Sequence, residues 1–298
     1  MNGLIGECRM ELKIMRKGIN YSLNGTGNRL VFFLQGCDML CPWCSNPEGL
    51  APGGTLLVHQ TNLTDDVCPQ GRIIEGKLDR TDCTDCSGRE CVDSQKNAGL
   101  SFSCTTVDVK DLIAEAQESR SLFFDGGGVT ISGGEPTLQF EALKELLEGL
   151  RAAGIHTAIE TNALNPRLPE LFELINLLII DFKHDDDAIH TEMTGVSNKT
   201  IEANIKAALA WHPNVLIRTP LIASFNADPK IIHRFVAFFH ECGAGNARFE
   251  LLKYHEYGRQ KWDSCGLEYT MNKGYISDSL FRSLENIYKK AGLNVIRS

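Results

Sequence analysis

Long apolar runs are missing from this 298-residue sequence. Stretches such as Leu30–Leu34 and Leu177–Ile180 fall far short of the roughly 20 residues that a bilayer-spanning helix needs. The N-terminal region carries Glu7 and Glu11 and no long apolar segment, so no secretory signal is visible and a cytoplasmic protein is expected. Positive charge is in deficit. Lys plus Arg is 30 against 38 for Asp plus Glu, a formal charge of -8. Such a surface repels phosphates and anionic headgroups, which excludes a general nucleic-acid or membrane-surface binder. A local basic site for an anionic ligand stays open. Internal repeats and low-complexity segments are also absent. The hydrophobic fraction of 43% is ordinary, so a sizeable core is expected and intrinsic disorder is not. The length allows one large domain or two ordinary ones.

Cysteine is what the chain has in excess. There are 11, eight of them between Cys37 and Cys104. The others are Cys8, Cys242 and Cys265, expected to be unligated. Nothing directs the chain to an oxidising compartment, so a dense thiol cluster reads as metal or redox chemistry.

Three regions separate by composition. Residues 1–48 are mixed and end in a cysteine motif. Residues 49–105 hold five cysteines and few apolar runs, so metal is expected to replace a hydrophobic core there. Residues 106–298 alternate strand-like apolar runs with amphipathic helical stretches. Strands are predicted at Leu30–Gln35, Gly128–Ser132, Ile155–Glu160, Leu177–Phe182, Val215–Thr219 and Ala247–Leu252. Helices are predicted at Leu138–Ala152, Leu168–Leu174, Thr200–Ala210, Pro229–Cys242 and Ser277–Ala291. Repeating βα units imply a parallel sheet, either a partial βα barrel or a doubly wound sheet. Active groups then gather at the carboxyl ends of the strands.

The first cysteine motif follows the first predicted strand. It runs Cys37-Asp38-Met39-Leu40-Cys41-Pro42-Trp43-Cys44, a C-x3-C-x2-C spacing. Three thiolates on one loop hold three irons of a cubane and leave the fourth open to a small molecule, whereas a structural zinc site fills every position with protein groups. Spacing alone leaves both readings open. Further on, Gly126-Gly127-Gly128-Val129-Thr130-Ile131-Ser132-Gly133-Gly134-Glu135-Pro136 covers the next strand and its loop. Glycines at a strand end let a ligand approach the backbone closely.

With these two motifs the chain resembles the radical S-adenosylmethionine (SAM) superfamily. Further stretches resemble its glycyl-radical-enzyme activating branch, such as pyruvate formate-lyase activase, over most of residues 20–295. They are Asn24-Gly25-Thr26-Gly27-Asn28-Arg29, where the family usually has D-G-P-G-x-R, and Cys44-Ser45-Asn46-Pro47-Glu48, resembling W-C-x-N-P-E. Glu160-Thr161-Asn162, Asp181-Phe182-Lys183, Thr194-Gly195-Val196, and Leu252 to Gly258 followed by Lys261-Trp262 are also similar. Three positions depart from the pattern: Asn24 replaces the usual Asp, Thr26 the usual Pro and Ala163 the usual Gly.

The resemblance implies an α/β fold, a partial (β/α)6 barrel of radical SAM type formed by residues 1–48 and 106–298. It implies a small ferredoxin-like cysteine-rich insert at 49–105. Cys37, Cys41 and Cys44 would bind a catalytic [4Fe–4S] cluster. Gly133, Gly134 and Glu135 would receive the SAM amino group, with Lys183, Arg218 and His255 as further polar contacts. Glu160, Thr161 and Asp181 match positions that hold a monovalent cation in family members. Asn24 and Asn46 would lie near the glycine segment of the partner. Trp43 and Trp262 read as packing residues.

The second cysteine group is Cys68-Pro69, Cys83-Thr84-Asp85-Cys86 and Cys91. Two-cluster ferredoxins use C-x2-C-x2-C-x3-C-P twice, with the last Cys of each run serving the other cluster. By that crossed rule Cys68, Cys83, Cys86 and Cys91 form one ligand set. The thiol of the other set is missing, Gln95 standing about where it belongs. One auxiliary [4Fe–4S] cluster is therefore expected. A zinc knot of the same four thiolates is the alternative, and Cys104 is the spare ligand.

The activity implied is reductive cleavage of SAM to a 5′-deoxyadenosyl radical. That radical takes a Cα hydrogen from one glycine of a partner glycyl radical enzyme. Flavodoxin or ferredoxin would donate electrons, and the chain would be a monomer. Two other readings stand beside it: a radical SAM enzyme acting on a small molecule, of 7-carboxy-7-deazaguanine synthase type, and a non-catalytic iron–sulfur electron carrier.

Overall fold

The computed structural model describes residues 9–59, 63–81, 83, 86, 88, 90–93 and 99–297. The chain starts with β1 (Glu11–Tyr21) and β2 (Asn28–Leu34), then enters the cysteine-rich stretch with β3 (Leu56–Val58), β4 (Ile73–Ile74), β5 (Lys77–Leu78), α1 (Glu90–Asp93) and β6 (Leu100–Phe102). It returns through β7 (Thr105–Asp108) and α2 (Val109–Glu118) to β8 (Gly128–Gly133) and α3 (Phe140–Ala152). Then come β9 (Thr157–Thr161), β10 (Leu177–Asp181), α4 (Asp187–Thr194), α5 (Lys199–Trp211), β11 (Val215–Leu221) and α6 (Pro229–Glu241). The last elements are β12 (Arg248–Lys253), α7 (Arg259–Cys265), α8 (Asp278–Lys290) and β13 (Asn294–Val295).

One nine-stranded sheet organises the fold, in the order β13-β12-β11-β10-β9-β8-β2-β1-β7. The six strands anticipated from the sequence are β2 and β8 to β12, adjacent in chain order and mutually parallel. The sheet is mixed because β1 pairs antiparallel with both β2 and β7. A short turn suffices for the antiparallel β1–β2 pair, whereas the parallel steps need crossovers. Among the described residues β7 and β13 stand at opposite edges, so the sheet is open.

Strand alternation gives the sheet two different faces. One face packs under the helices. Val129, Ile131, Ile159, Leu178, Ile180, Ile217, Phe249 and Leu251 join Leu143, Leu146 and Leu147 of α3 and Phe235 and Phe239 of α6 in the main core. The other face has a small apolar patch of Ala158, Leu177, Ile179 and Leu216. The same face carries charged residues, and the register sets Asp181 beside Arg218 and Arg218 beside Glu250.

Strands β1, β7 and β13 were not anticipated. Only the first half of β1 alternates, with Leu12 and Ile14 buried, while its later residues are mostly exposed. The Leu168–Leu174 segment is a 3-10 helix, with Pro169 near its start and a Glu170 N–H to Arg167 carbonyl bond of 2.9 Å. Such i→i+3 bonding is typical of short helical pieces. The cysteine-rich stretch holds more apolar packing than expected: Val58, Leu63, Val67, Ile73 and Leu100 form a small buried cluster, with Cys68 and Cys91 against it. Pairing of β3 with β6 and of β4 with β5 supplies its backbone order. No described helix is long and apolar enough to cross a membrane.

Candidate active site

The carboxyl ends of the parallel strands surround a cavity of about 270 Å³. Cys37, Cys41 and Cys44 line it, together with Asn46, Gly133, Gly134, Glu160, Thr161, Asp181, Lys183 and His255. Residues from five strand ends and the first cysteine loop thus meet in one place.

The cysteine loop is pinned from several sides. Cys37 N–H donates to the Leu50 carbonyl at 3.1 Å, and Leu40 N–H donates to the Thr194 carbonyl at 2.8 Å. Trp43 packs on Phe225 with ring centroids 4.8 Å apart. Trp262 of α7 does more than pack, because its indole N–H donates to the Cys44 carbonyl at 2.9 Å. Asn46 Oδ1 accepts from Arg16 Nη2 at 3.2 Å and from Lys261 Nζ at 3.0 Å, and Lys261 also pairs with Glu48 at 2.6 Å. The sequence stretch Lys261-Trp262 carried the signal for this clamp; its target was not legible.

The glycine loop fits by close backbone approach. Gly133 has φ +125, and a Cβ at Gly134 would collide with the Gly36 carbonyl. Gly134 N–H donates to the Leu34 carbonyl at 2.9 Å and Glu135 N–H to the Gly36 carbonyl at 2.6 Å. Only residues without side chains let the loops after β2 and β8 lie this close.

Glu135 is fully buried and is not on the cavity wall. Its Oε1 accepts from Thr137 N at 3.0 Å, Thr137 Oγ1 at 2.5 Å and Thr161 Oγ1 at 2.7 Å. Its Oε2 accepts from Asn162 N at 2.7 Å. Burial pushes the carboxyl up to about 7 against the pull of these hydrogen bonds. Glu135 therefore ties the glycine loop to the end of β9. Asn162 extends the tie to the cysteine loop by donating to Asp38 Oδ1 at 2.7 Å.

Arg218 stands within β11. It is 3% exposed and lies behind the cavity wall. Its Nε donates to Glu250 Oε2 at 2.7 Å, Nη1 to Glu160 Oε1 at 2.5 Å and Nη2 to the Leu23 carbonyl at 2.8 Å. Burial opposes the charge, but the two carboxylates outweigh it and hold the guanidinium above its usual value. Lys183 is the same case on the cavity wall. Burial works against its ammonium, and Asp181 at 3.0 Å overcomes it. Asn24 lies outside the cavity and donates to Glu160 Oε2 at 2.8 Å.

These residues fit a metal centre with a polar ligand beside it. Burial pushes the Cys41 thiol up to about 12 and raises those of Cys37 and Cys44. Thiolates in that place need a positive body against them, which a cluster supplies. His255 Nδ1 is buried with no hydrogen-bond partner among the described residues, so the wall keeps a polar atom free.

The second cysteine group lines a separate cavity of about 700 Å³. Cys68, Cys83, Cys86 and Cys91 all face it, and Cys104 is not among its lining residues. Cys265, from the end of α7, is there too, which its sequence context did not signal. Arg80 joins the two parts, donating to the Leu56 carbonyl at 2.7 Å and to the Ser264 carbonyl of α7 at 2.8 Å. A Cβ at Gly266 would strike the Arg80 side chain. Among the described residues no three His, Cys, Asp or Glu side chains are gathered to hold one metal ion. Cys8 and Gln95 lie outside the described residues.

Residues 31–235 match the Radical SAM superfamily, and the chain belongs to it. It is 31% identical over 288 residues to the 4-hydroxyphenylacetate decarboxylase activating enzyme of Clostridioides difficile strain 630, covering 91% of this chain and 90% of that one. It is 34% identical over 288 residues to the isethionate sulfite-lyase activating enzyme of Nitratidesulfovibrio vulgaris, covering 90% and 92%. To the (2S)-3-sulfopropanediol dehydratase activating enzyme of Klebsiella oxytoca it is 31% identical over 298 residues, covering 92% of each. Within the superfamily the chain is thus a close relative of the glycyl-radical-enzyme activating enzymes. Streptococcus suis SuiB, solved with its precursor peptide SuiA, shares the fold: TM-score 0.54, 16% identity, 89% of this chain and 47% of that one.

Proposed function

We propose that this chain activates a partner glycyl radical enzyme at the 270 Å³ cavity. The observation that carries the reading is the meeting there of the three thiols of Cys37, Cys41 and Cys44 with the strand-end glycines and the Lys183 and His255 side chains. Cys37, Cys41 and Cys44 hold a [4Fe–4S] cluster with one iron left for SAM. When bound, the cluster and SAM supply a 5′-deoxyadenosyl radical that takes a Cα hydrogen from a glycine of the partner.

The chain's own part is positioning and exclusion. Gly133 and Gly134 leave their backbone open toward the SAM amino group. Glu135 acts through that loop, holding it against β9 instead of touching the ligand. Lys183, kept charged by Asp181, and the unpaired His255 Nδ1 are the side-chain contacts. Trp43 and Trp262 seal and orient the cysteine loop. Asn46, clamped by Arg16 and Lys261, and the turn carrying Asn24 face the partner's glycine segment.

Residues 1–48 and 106–298 form a partial (β/α)6 barrel in this reading, and 49–105 a ferredoxin-like insert. Cys68, Cys83, Cys86 and Cys91 hold one auxiliary [4Fe–4S] cluster, fed by flavodoxin or ferredoxin in a cytoplasmic monomer. That one cavity gathers all four thiols supports a shared centre there.

The test is anaerobic incubation of the reconstituted chain with SAM and dithionite, with and without a glycyl radical enzyme. Release of 5′-deoxyadenosine with a doublet EPR signal on the partner's glycine supports the proposal. Release with no doublet on any activating-enzyme partner points to a small-molecule substrate, and no release points to an electron carrier. Cys41→Ala should abolish release while one centre remains; release at the parent rate overturns the cysteine assignment. Metal analysis should give about eight irons per chain, and about four irons with one zinc would replace the auxiliary cluster by a knot.

A further inference from the structure

The two cysteine cavities differ in the charges on their walls. Glu160 and Asp181 stand with Lys183 and Lys253 on the first. The residues that line the second include five cysteines, Arg72 and Arg80, and no carboxylate. Arg72 lies 3.9 Å from Asp79, and both side chains are well exposed. Arg80 is half-buried, and among the described residues no carboxylate pairs with it.

The Arg80 guanidinium is fixed by neutral groups on two sides, the Leu56 carbonyl at the start of β3 and the Ser264 carbonyl of α7. Gly266, at φ +70, gives it room, since a Cβ there would strike its Nε and Cδ. The turn that carries Arg80 also carries one of the thiols: Cys83 N–H donates to the Arg80 carbonyl at 3.0 Å. Burial pulls the guanidinium pKa down, and the Cys265 and Cys83 thiols oppose it. Arg80 therefore brings an unbalanced positive charge to the wall where Cys68, Cys83, Cys86 and Cys91 meet. An iron–sulfur cluster held there gains one negative charge as it takes up one electron. A nearby cation favours that reduced form, and net charge is one of the levers that set cluster potentials. A half-buried charge without a counter-ion is screened less than a paired one in solvent.

We propose that Arg80 raises the reduction potential of the auxiliary cluster through its charge. The inference rests on the reading that Cys68, Cys83, Cys86 and Cys91 hold a [4Fe–4S] cluster. The step concerned is uptake of one electron from dithionite or a low-potential flavin, with no bond made or broken. The test is a mediated dithionite titration followed by EPR on reconstituted full-length Cys41→Ala protein, in which the auxiliary cluster is the centre that remains. Arg80→Gln keeps donors for the two carbonyls and removes the charge, and Arg80→Met removes both. At a fixed potential either should raise the oxidised-to-reduced ratio about tenfold, a midpoint about 59 mV more negative for one electron. Arg80→Lys keeps the charge, and Arg72→Gln removes one that Asp79 already balances; both should stay within about twofold of the parent ratio. A neutral Arg80 variant that loads iron and stays within twofold of the parent overturns the proposal. So does an Arg80→Lys midpoint as low as that of Arg80→Gln, which would make the bonds and not the charge responsible. Zinc in place of iron at the second site, read by metal analysis, overturns the cluster reading and this inference with it, an outcome distinct from an unshifted midpoint.

Discussion

Arg29 provides the sharpest stability prediction, because it is a fully buried guanidinium with no carboxylate in contact among the described residues. Its charge is held by neutral acceptors, among them His156 Nδ1 at 3.4 Å from both Nη1 and Nη2. Nε donates to Thr130 Oγ1 at 2.6 Å and Nη2 to the Val129 carbonyl at 2.7 Å. Longer bonds reach the carbonyls of Thr26 at 3.3 Å, Gly126 at 3.4 Å and His156 at 3.3 Å. Burial lowers its pKa to about 10, a desolvation cost of about 3 kcal/mol. Each charged hydrogen bond contributes about 1.5–3 kcal/mol toward offsetting that cost. Thr130 Oγ1 passes the constraint on by donating to the Asn24 carbonyl at 2.7 Å. Arg29 therefore holds the turn that presents Asn24 to Glu160.

Arg29→Met removes every donor from the Thr130 hydroxyl and from the Thr26 and Gly126 carbonyls in a dry site. The expected loss is about 1–3 kcal/mol, the range for leaving a buried polar group without its partner. Arg29→Lys keeps the charge but replaces a five-donor fork by three donors on a point, and should recover about half of that loss. Urea unfolding followed by circular dichroism measures both, with the slope expected to stay constant. Amide exchange should quicken at residues 24–27 and 126–128 before it does in β10. An Arg29→Met protein as stable as the parent would refute the reasoning, since it would mean that the guanidinium's hydrogen bonds contribute nothing.

Two other outcomes follow from the geometry. Glu135 has its folded pKa raised from 4.5 to about 7, so its contribution is fully present below 4.5 and lost as pH rises to about 7. Relative to Glu135→Gln, which does not titrate, the parent should lose about 2–3 kcal/mol between pH 5 and pH 8, and a pH-independent difference in urea midpoints would show that the carboxyl titrates normally. Arg80→Met should free the cysteine-rich stretch from α7, read as faster limited proteolysis near residues 56–80 with β8 to β12 still protected; unchanged cleavage would mean that the Leu56 and Ser264 bonds do not hold it.

Much of the fold was legible in residue order because it depends on local pattern. Leu177–Ile180 is apolar on both faces, so it reads as a buried parallel strand, and it is one. The spacing of Cys37, Cys41 and Cys44 confines three thiols to one loop whatever the rest of the chain does. β1 was hidden because its second half lies largely in solvent and carries no alternation. The 3-10 winding of Leu168–Leu174 was hidden because apolar spacing does not distinguish a tight turn from an α-helix.

Partner choice across the sheet was a different matter. Asn24 and Glu160 are 136 positions apart, and Trp262 and Cys44 are 218 apart. Motif order placed Glu135 and Arg218 near a ligand, yet the carboxylate turns toward Thr137 and Asn162 and the guanidinium toward Glu160 and Glu250. Cys265 faces the second cavity only because α7 packs there. Residue types and spacings by themselves determined which groups stand at strand ends. Only tertiary register decided which donor meets which acceptor, because a buried polar group pairs with whatever the folded neighbours present.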